Sequence, residues 1–258
     1  MSFPADSSFV DDVRAAVSFG ERKFEEQSGV FVPDILLLHY TGMDDAESAV
    51  NWLCGAESGV SCHYLIYESG RIVQMVSEEK RAFHAGFGAW QGQTDTNSRS
   101  IGIEIVNGGH PADLPPYPQV QMESVARLCQ DILSRYPIAP QQVLAHSDIA
   151  PERKSDPGEH FDWAWLAQQG IGHWVLPAVI RSGRYFQQGD NGEPVEAIQS
   201  MLSLYGYDLE ISGRFCRKTR EVVTAFQRHF RQERVDGVAD VSTLETLHNL
   251  LSSLPKTE

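Results

Sequence analysis

The first apolar run of four residues in the chain is Ile35-Leu36-Leu37-Leu38, bounded by Pro33-Asp34 before it and Thr41-Gly42 after it. Its length and borders predict a buried strand, with His39 at the C-terminal end. His63 to Tyr67 and Arg71 to Val76 flank Glu68-Ser69-Gly70, a short glycine-containing connection that predicts two paired antiparallel strands. Ile101 to Val106 alternates strictly, so Ile101, Ile103 and Ile105 share one face of a strand and Gly102, Glu104 and Val106 the other. Glu104 therefore points away from the isoleucine core. Met122, Val125, Leu128, Ile132 and Leu133 recur at helical spacing, predicting a helix that stops before Pro137. Val143-Leu144-Ala145 reads as a short strand leading into His146, with a polar loop over 147–160 behind it. Residues 82–100 are rich in Gly, Ser, Asn, Gln and aromatics without a period and read as a long surface loop, a kind of segment that often carries function. Strands alternating with helices predict an α/β or α+β domain.

From Ser182 the pattern changes to three short helices, marked by Val195, Ile198, Met201 and Leu202, by Val222, Val223 and Phe226, and by Leu244, Leu247, Leu250 and Leu251. The second and third are introduced alike, by Gly213 with Thr219 and by Gly237 with Thr243, 24 residues apart, which is an internal near-repeat. A chain of 258 residues, at roughly 150 per domain, accommodates such a division. The reading is a domain over 1–180 and a small all-α three-helix domain over 185–258, joined near Arg181-Ser182-Gly183.

The charge supports the division. The net charge is −14 overall, with −13 over 1–180 and −1 over 181–258. So acidic a surface repels phosphate backbones and anionic lipid, which argues against a nucleic-acid partner. No apolar run approaches the roughly 18 residues of a membrane span. The start, MSFPADSSFVDDVR, lacks a basic-then-apolar export pattern, and Cys54, Cys62, Cys129 and Cys216 form no CxxC pair. These features predict free thiols and a cytoplasmic protein, with the periplasm as the alternative; the expected state is a monomer, which these features do not address.

Among nine histidines, His39 and His146 stand out at strand ends, with Asp156 ten residues after the second. Two imidazoles and a carboxylate suit a catalytic zinc, which commonly has three protein ligands and keeps one position open. Strand-end histidines also simply hydrogen-bond to backbone groups, so the spacing alone leaves both readings standing.

The segments ILLLHYTG (35–42), GVSCHYLIY (59–67), AFHAGFGAWQGQTDTNSRSIGIEIVN (82–107) and VLAHSDIAPERKSDPG (143–158), in this order, resemble the zinc-dependent N-acetylmuramoyl-L-alanine amidases. That family includes phage lysozyme-amidases and the animal peptidoglycan-recognition proteins, and this chain is most similar to the bacterial branch acting on cell-wall fragments. The resemblance covers about residues 30–170. It implies a mixed β-sheet with flanking helices, one zinc per chain held by His39, His146 and Asp156, and a catalytic acid at Glu104 with a basic partner at Lys154. His84 and Asn97 match motif positions near the family's cleft and are candidate contacts to sugar or peptide, with loop-holding roles as the alternative; Trp90 is a candidate sugar-stacking platform or a loop anchor. Residues 185–251, with GDNGEPVEAIQSMLSLY at 189–205, resemble the three-helix peptidoglycan-binding domain appended to many wall hydrolases.

The implied activity is hydrolysis of the amide between N-acetylmuramic acid and L-alanine, in peptidoglycan or in (anhydro)muropeptides. A non-catalytic peptidoglycan receptor is the competing reading, since some relatives keep the fold and lose the metal. The intact ligand positions favour the enzyme. A serine hydrolase or a helix-borne zinc protease is excluded by the lack of GxSxG and HExxH. On this division, residues 1–180 would cleave soluble fragments alone.

Overall fold

A computed structural model describes residues 3–23, 32–43 and 45–255. Met1 and Ser2 of the N-terminal stretch, and residues 30–31 at the start of the predicted catalytic core, lie outside them. The strands are β1 (Asp12–Val13), β2 (Phe19–Glu21), β3 (Ile35–Tyr40), β4 (Tyr64–Ile66), β5 (Ile72–Gln74), β6 (Lys80–Ala82), β7 (Ser100–Ile105) and β8 (Val143–Ala145). Six of them form one sheet in the order β1-β5-β4-β7-β3-β8, while β2 and β6 pair separately. The β4–β5 hairpin is antiparallel and the other neighbours in the large sheet are parallel, so the sheet is mixed.

The continuous apolar run of β3 follows from its position between β7 and β8, with both faces covered. On one face Leu36, Leu38, Ile101, Ile103 and Ile105 pack against Met122, Val125, Leu128 and Ile132 of helix α3 (Gln119–Arg135). The helix ends at Tyr136, where the following proline disfavours helical backbone. The opposite face carries Ile35, Leu37, His39 and Glu104. It is covered on one flank by α1 (Ala46–Cys54) and on the other by the C-terminal helices.

Several elements escaped the sequence reading. Helix α1 carries Ala46, Ala49, Val50 and Leu53 on its buried side, a helical pattern diluted by small residues, and Asp45 caps it by accepting the N–H of Ser48 at 2.8 Å. β1, β2 and β6 have only two or three residues each and are too short for a period to show. The stretch 82–100 is not a surface loop throughout: it contains α2 (Thr96–Arg99) and buries Trp90, Thr96, Asn97 and Ser98. The polar stretch after β8 begins with a helical turn, α4 (His146–Ile149), and α5 (Trp163–Gln168) follows it.

The C-terminal half forms α6 (Glu193–Tyr205), α7 (Arg217–Phe230) and α8 (Val241–Ser253). The near-repeat has a physical basis in two buried glutamines. Gln199 Oε1 accepts the N–H groups of Ser212 and Gly213, and its amide donates to Thr219 Oγ1. Gln227 does the same for Asp236, Gly237 and Thr243. Gly213 and Gly237 occupy left-handed backbone, φ 67° and 73°, which explains glycine at the turn each amide grips.

One apolar cluster runs from Ile35, Leu37, Trp90 and Ile149 into Val195, Leu202, Tyr207 and Phe226. The three helices thus share a core with the sheet domain. All four cysteines are free, Cys62 and Cys129 buried and Cys216 exposed. No helix among the described residues is long and apolar enough to cross a membrane.

Candidate active site

His39 and Glu104 are register partners on the parallel strands β3 and β7, so their side chains leave the same face of the sheet. His146 arrives from the first residue of α4, and Asp156 from the loop behind it. His39 Nδ1 lies 2.9 Å from His146 Nδ1 and 3.1 Å from Asp156 Oδ2, and His146 Nδ1 lies 2.9 Å from the same oxygen. All three residues are buried and form a potential metal-binding group. The donor set fits zinc: two ligands bound to one tetrahedral ion at about 2.0–2.1 Å stand roughly 3.3 Å apart, close to the spacings seen.

The far nitrogens of both imidazoles are also engaged. His146 Nε2 is 2.9 Å from the carbonyl of Ala85, and His39 Nε2 is 2.9 Å from His84 Nδ1. Partners of this kind fix the tautomer and aim of a metal-binding histidine. Arg153 secures the same loop, donating to Ala85 O at 2.8 Å and Phe87 O at 2.7 Å. Gly102 lets His84 lie flat on β7, because a Cβ there would fall 2.5 Å from His84 Nδ1. A glycine inside an alternating strand was the available signal for that close approach.

Beside the donors lies a cavity of about 250 Å³, lined among others by Tyr40, Trp52, His84, Glu104, Lys154 and Asp156. The Glu104 stem is partly open to it, whereas Oε2 is buried and has no hydrogen-bond partner among the described residues. Burial, with Asp156 as a second contribution, pushes the Glu104 carboxyl well above the usual carboxylate range, and Lys154 draws it back down. Burial and the neighbouring His146 lower His39 to about 4, against the pull of Asp156. Burial alone would raise Asp156, but the two imidazoles outweigh it and hold the carboxyl well below its ordinary value.

The sequence reading is thus brought together at His39, His146, Asp156, Glu104, Lys154 and His84. Trp90 requires correction as a sugar-contact candidate. It is 0% exposed, donates from Nε1 to Gln142 Oε1 at 2.7 Å, and packs edge-on against Tyr205 and Tyr207. Asn97 is corrected likewise: its Oδ1 accepts the N–H groups of His84 and Ala85 at 3.0 and 2.8 Å, so it shapes the loop instead of facing the cavity.

A mixed sheet carrying a buried two-histidine, one-carboxylate cluster, with a raised acid beside it in a cleft, defines a hydrolase. Comparison with known proteins agrees. Residues 30–159 match the N-acetylmuramoyl-L-alanine amidase family profile, and residues 191–247 match a peptidoglycan binding domain profile. The N-acetylmuramoyl-L-alanine amidase AmiD of Escherichia coli is 39% identical over 231 residues, covering 84% of this chain and 82% of the relative. Its complex with anhydro-N-acetylmuramic acid-L-Ala-D-gamma-Glu-L-Lys superposes with a TM-score of 0.74 at 35% identity, covering 91% of this chain and 97% of that one. AMPDH3 from Pseudomonas aeruginosa gives a TM-score of 0.73 at 31% identity over 99% of this chain and 100% of that one. The 1,6-anhydro-N-acetylmuramyl-L-alanine amidase AmpD of Enterobacter cloacae is 39% identical over 125 residues, 48% of this chain and 65% of the relative. The chain belongs to the N-acetylmuramoyl-L-alanine amidase family.

Proposed function

We propose that this protein is a zinc-dependent N-acetylmuramoyl-L-alanine amidase that hydrolyses the bond between the lactyl carbonyl of N-acetylmuramic acid and L-alanine, with anhydro-muropeptides among its substrates. The carrying observation is the convergence of His39, His146 and Asp156 beside a buried, unpartnered Glu104 oxygen. Zinc held by the three donors supplies Lewis acidity, which lowers the pKa of water and polarises a carbonyl. Glu104, with its raised affinity for protons, accepts the proton of the attacking water and returns it to the alanine nitrogen as the C–N bond breaks. Lys154, on the same cavity wall, offsets the negative charge that develops on the carbonyl oxygen. His84 and Ala85 hold the two imidazoles in position.

Two units carry the work, catalysis over 1–180 and wall binding over 185–258. An open apolar groove between α6 and α8, lined by Phe186, Ile198, Met201, Leu244 and His248 with Arg184 and Glu245 at its rim, supports a glycan-docking role for the second. The protein acts as a monomer, a state that light scattering checks. The free thiols support the cytoplasmic reading over the periplasmic one, and cell fractionation decides between them.

The test is mass spectrometry of purified muropeptides incubated with the protein, before and after chelation and after zinc is restored. Stem peptide released, lost on chelation and regained with zinc is the expected result. Binding to wall material without any cleavage would replace the enzyme by a receptor.

A further inference from the structure

The turn that presents His146 is braced from the C-terminal helices. Two residues after His146, the Asp148 side chain folds back so that Oδ2 accepts the N–H of Ala145 at 2.8 Å. The rest of this carboxylate is satisfied from the C-terminal region of the chain. Tyr207 donates its hydroxyl to Oδ1 at 2.7 Å, and His229 Nδ1 lies 2.7 Å from Oδ2. Asp148, Tyr207 and His229 are each no more than 2% exposed. The His229 ring is stacked between Trp163 and Phe230, at centroid separations of 3.7 and 3.8 Å, so it has little freedom to turn.

The same helices brace the neighbouring chain segments. Gly206 O accepts the N–H of Gln91, at the end of the loop whose Ala85 carbonyl meets His146. Gln232 Nε2 donates to the carbonyls of Glu159 and Phe161, just beyond Asp156. A wall-binding unit on a free tether has no need of buried polar bonds to the turn beneath a metal donor.

We propose that Tyr207 and His229 are positioning residues for the metal centre, acting through Asp148 to fix the turn that aims His146. The C-terminal helices are then a structural part of the active site in addition to any wall-binding role. This rests on reading His39, His146 and Asp156 as the metal donors. Removing either donor to Asp148 leaves a buried carboxylate oxygen short of a partner, and the turn relaxes to satisfy it.

The test measures zinc affinity of the full-length chain by competition with a chromophoric chelator, alongside thermal denaturation. Tyr207→Phe and His229→Leu should each bind zinc about tenfold more weakly, at the lower end of what loss of a ligand's outer partner causes. His229→Asn, whose side-chain amide can replace the Nδ1 donor, should recover most of that loss. Tyr205→Phe is the control. It removes a tyrosine hydroxyl from the same helices, one that meets His173 Nδ1 at 2.9 Å and not Asp148. It should leave zinc affinity within about twofold of wild type, even where melting falls. Wild-type affinity in Tyr207→Phe, which deletes a single oxygen and needs no repacking, would overturn the proposal; so would equal weakening in Tyr205→Phe. A wild-type chain that binds no zinc would overturn the metal reading itself, and this proposal with it.

Discussion

Glu104 stands directly across the β3–β7 ladder from His39, and its Oε2 is buried without a partner among the described residues. A carboxyl so placed is set beside the metal donors by strand register alone, without being a fourth member of their cluster. Glu104→Gln preserves shape and should keep zinc affinity near wild type while lowering kcat by about 10²- to 10⁴-fold, the range for loss of a general acid–base group. Zinc titration and turnover on one purified muropeptide check both halves. Full turnover in the variant would remove Glu104 from the proton shuttle.

Lys154 acts on two quantities at once. In the proposed mechanism Lys154 is the cation facing the developing oxyanion, so Lys154→Met should lower kcat by about 10²- to 10³-fold. Because Lys154 draws the Glu104 carboxyl down, the same variant should move the acid limb of the kcat/KM profile to higher pH. A lower kcat with an unmoved acid limb would separate Lys154 electrostatically from Glu104.

Burial lowers His39 to about 4 and pushes His63, His84 and His173 down as well. In the unfolded chain each titrates near 6.5. Below that value the unfolded state takes up protons that the folded state refuses, so their contribution to stability is present above about pH 6.5 and is lost as pH falls toward 4. Glu104, raised instead, works in the opposite direction over part of this window, but it is one group against four histidines. The metal-free protein should therefore show a lower urea midpoint at pH 5.5 than at pH 7.5. An unchanged or higher midpoint at pH 5.5 would contradict the buried neutral histidines.

Local periodicity explains what could be read in the sequence. The alternation of 101–106 placed Glu104 off the core, and the apolar run before His39 placed that residue at the end of an inner strand; both hold in the structure. Asp156 has no periodic signal, since a loop brings it in; its place ten residues after His146 is a weak cue that only the family resemblance strengthened. Asp148 and His229 are 81 residues apart, and nothing local to either indicates that they meet. Of the two readings open for Trp90, local sequence could not choose the loop anchor over the sugar platform, for a related reason. An aromatic in a glycine-rich loop looks the same in sequence whether it faces solvent or a neighbouring helix bundle, and here Gly206 opens the space it enters: a Cβ there would lie 2.5 Å from its ring.

Trp90 therefore makes a prediction about stability and not about substrate. It joins the sheet domain to the C-terminal helices, fully buried against Tyr205 and Tyr207 and bonded to Gln142. Trp90→Ala should destabilise the fold by about 3–5 kcal/mol, as for other large aromatics removed from a core. Where the variant remains folded, KM for soluble muropeptide should stay close to wild type. Deleting residues 185–258 strips the same face entirely, uncovering Trp90 and Ile149 and taking away both side-chain partners of Asp148. The shared core thus revises the expectation that residues 1–180 work alone: the truncated chain should melt lower and bind zinc more weakly than the full chain. Denaturant melts of both variants, with KM measured on the folded Trp90→Ala protein, check this. A large rise in KM without loss of stability would return Trp90 to the substrate cleft.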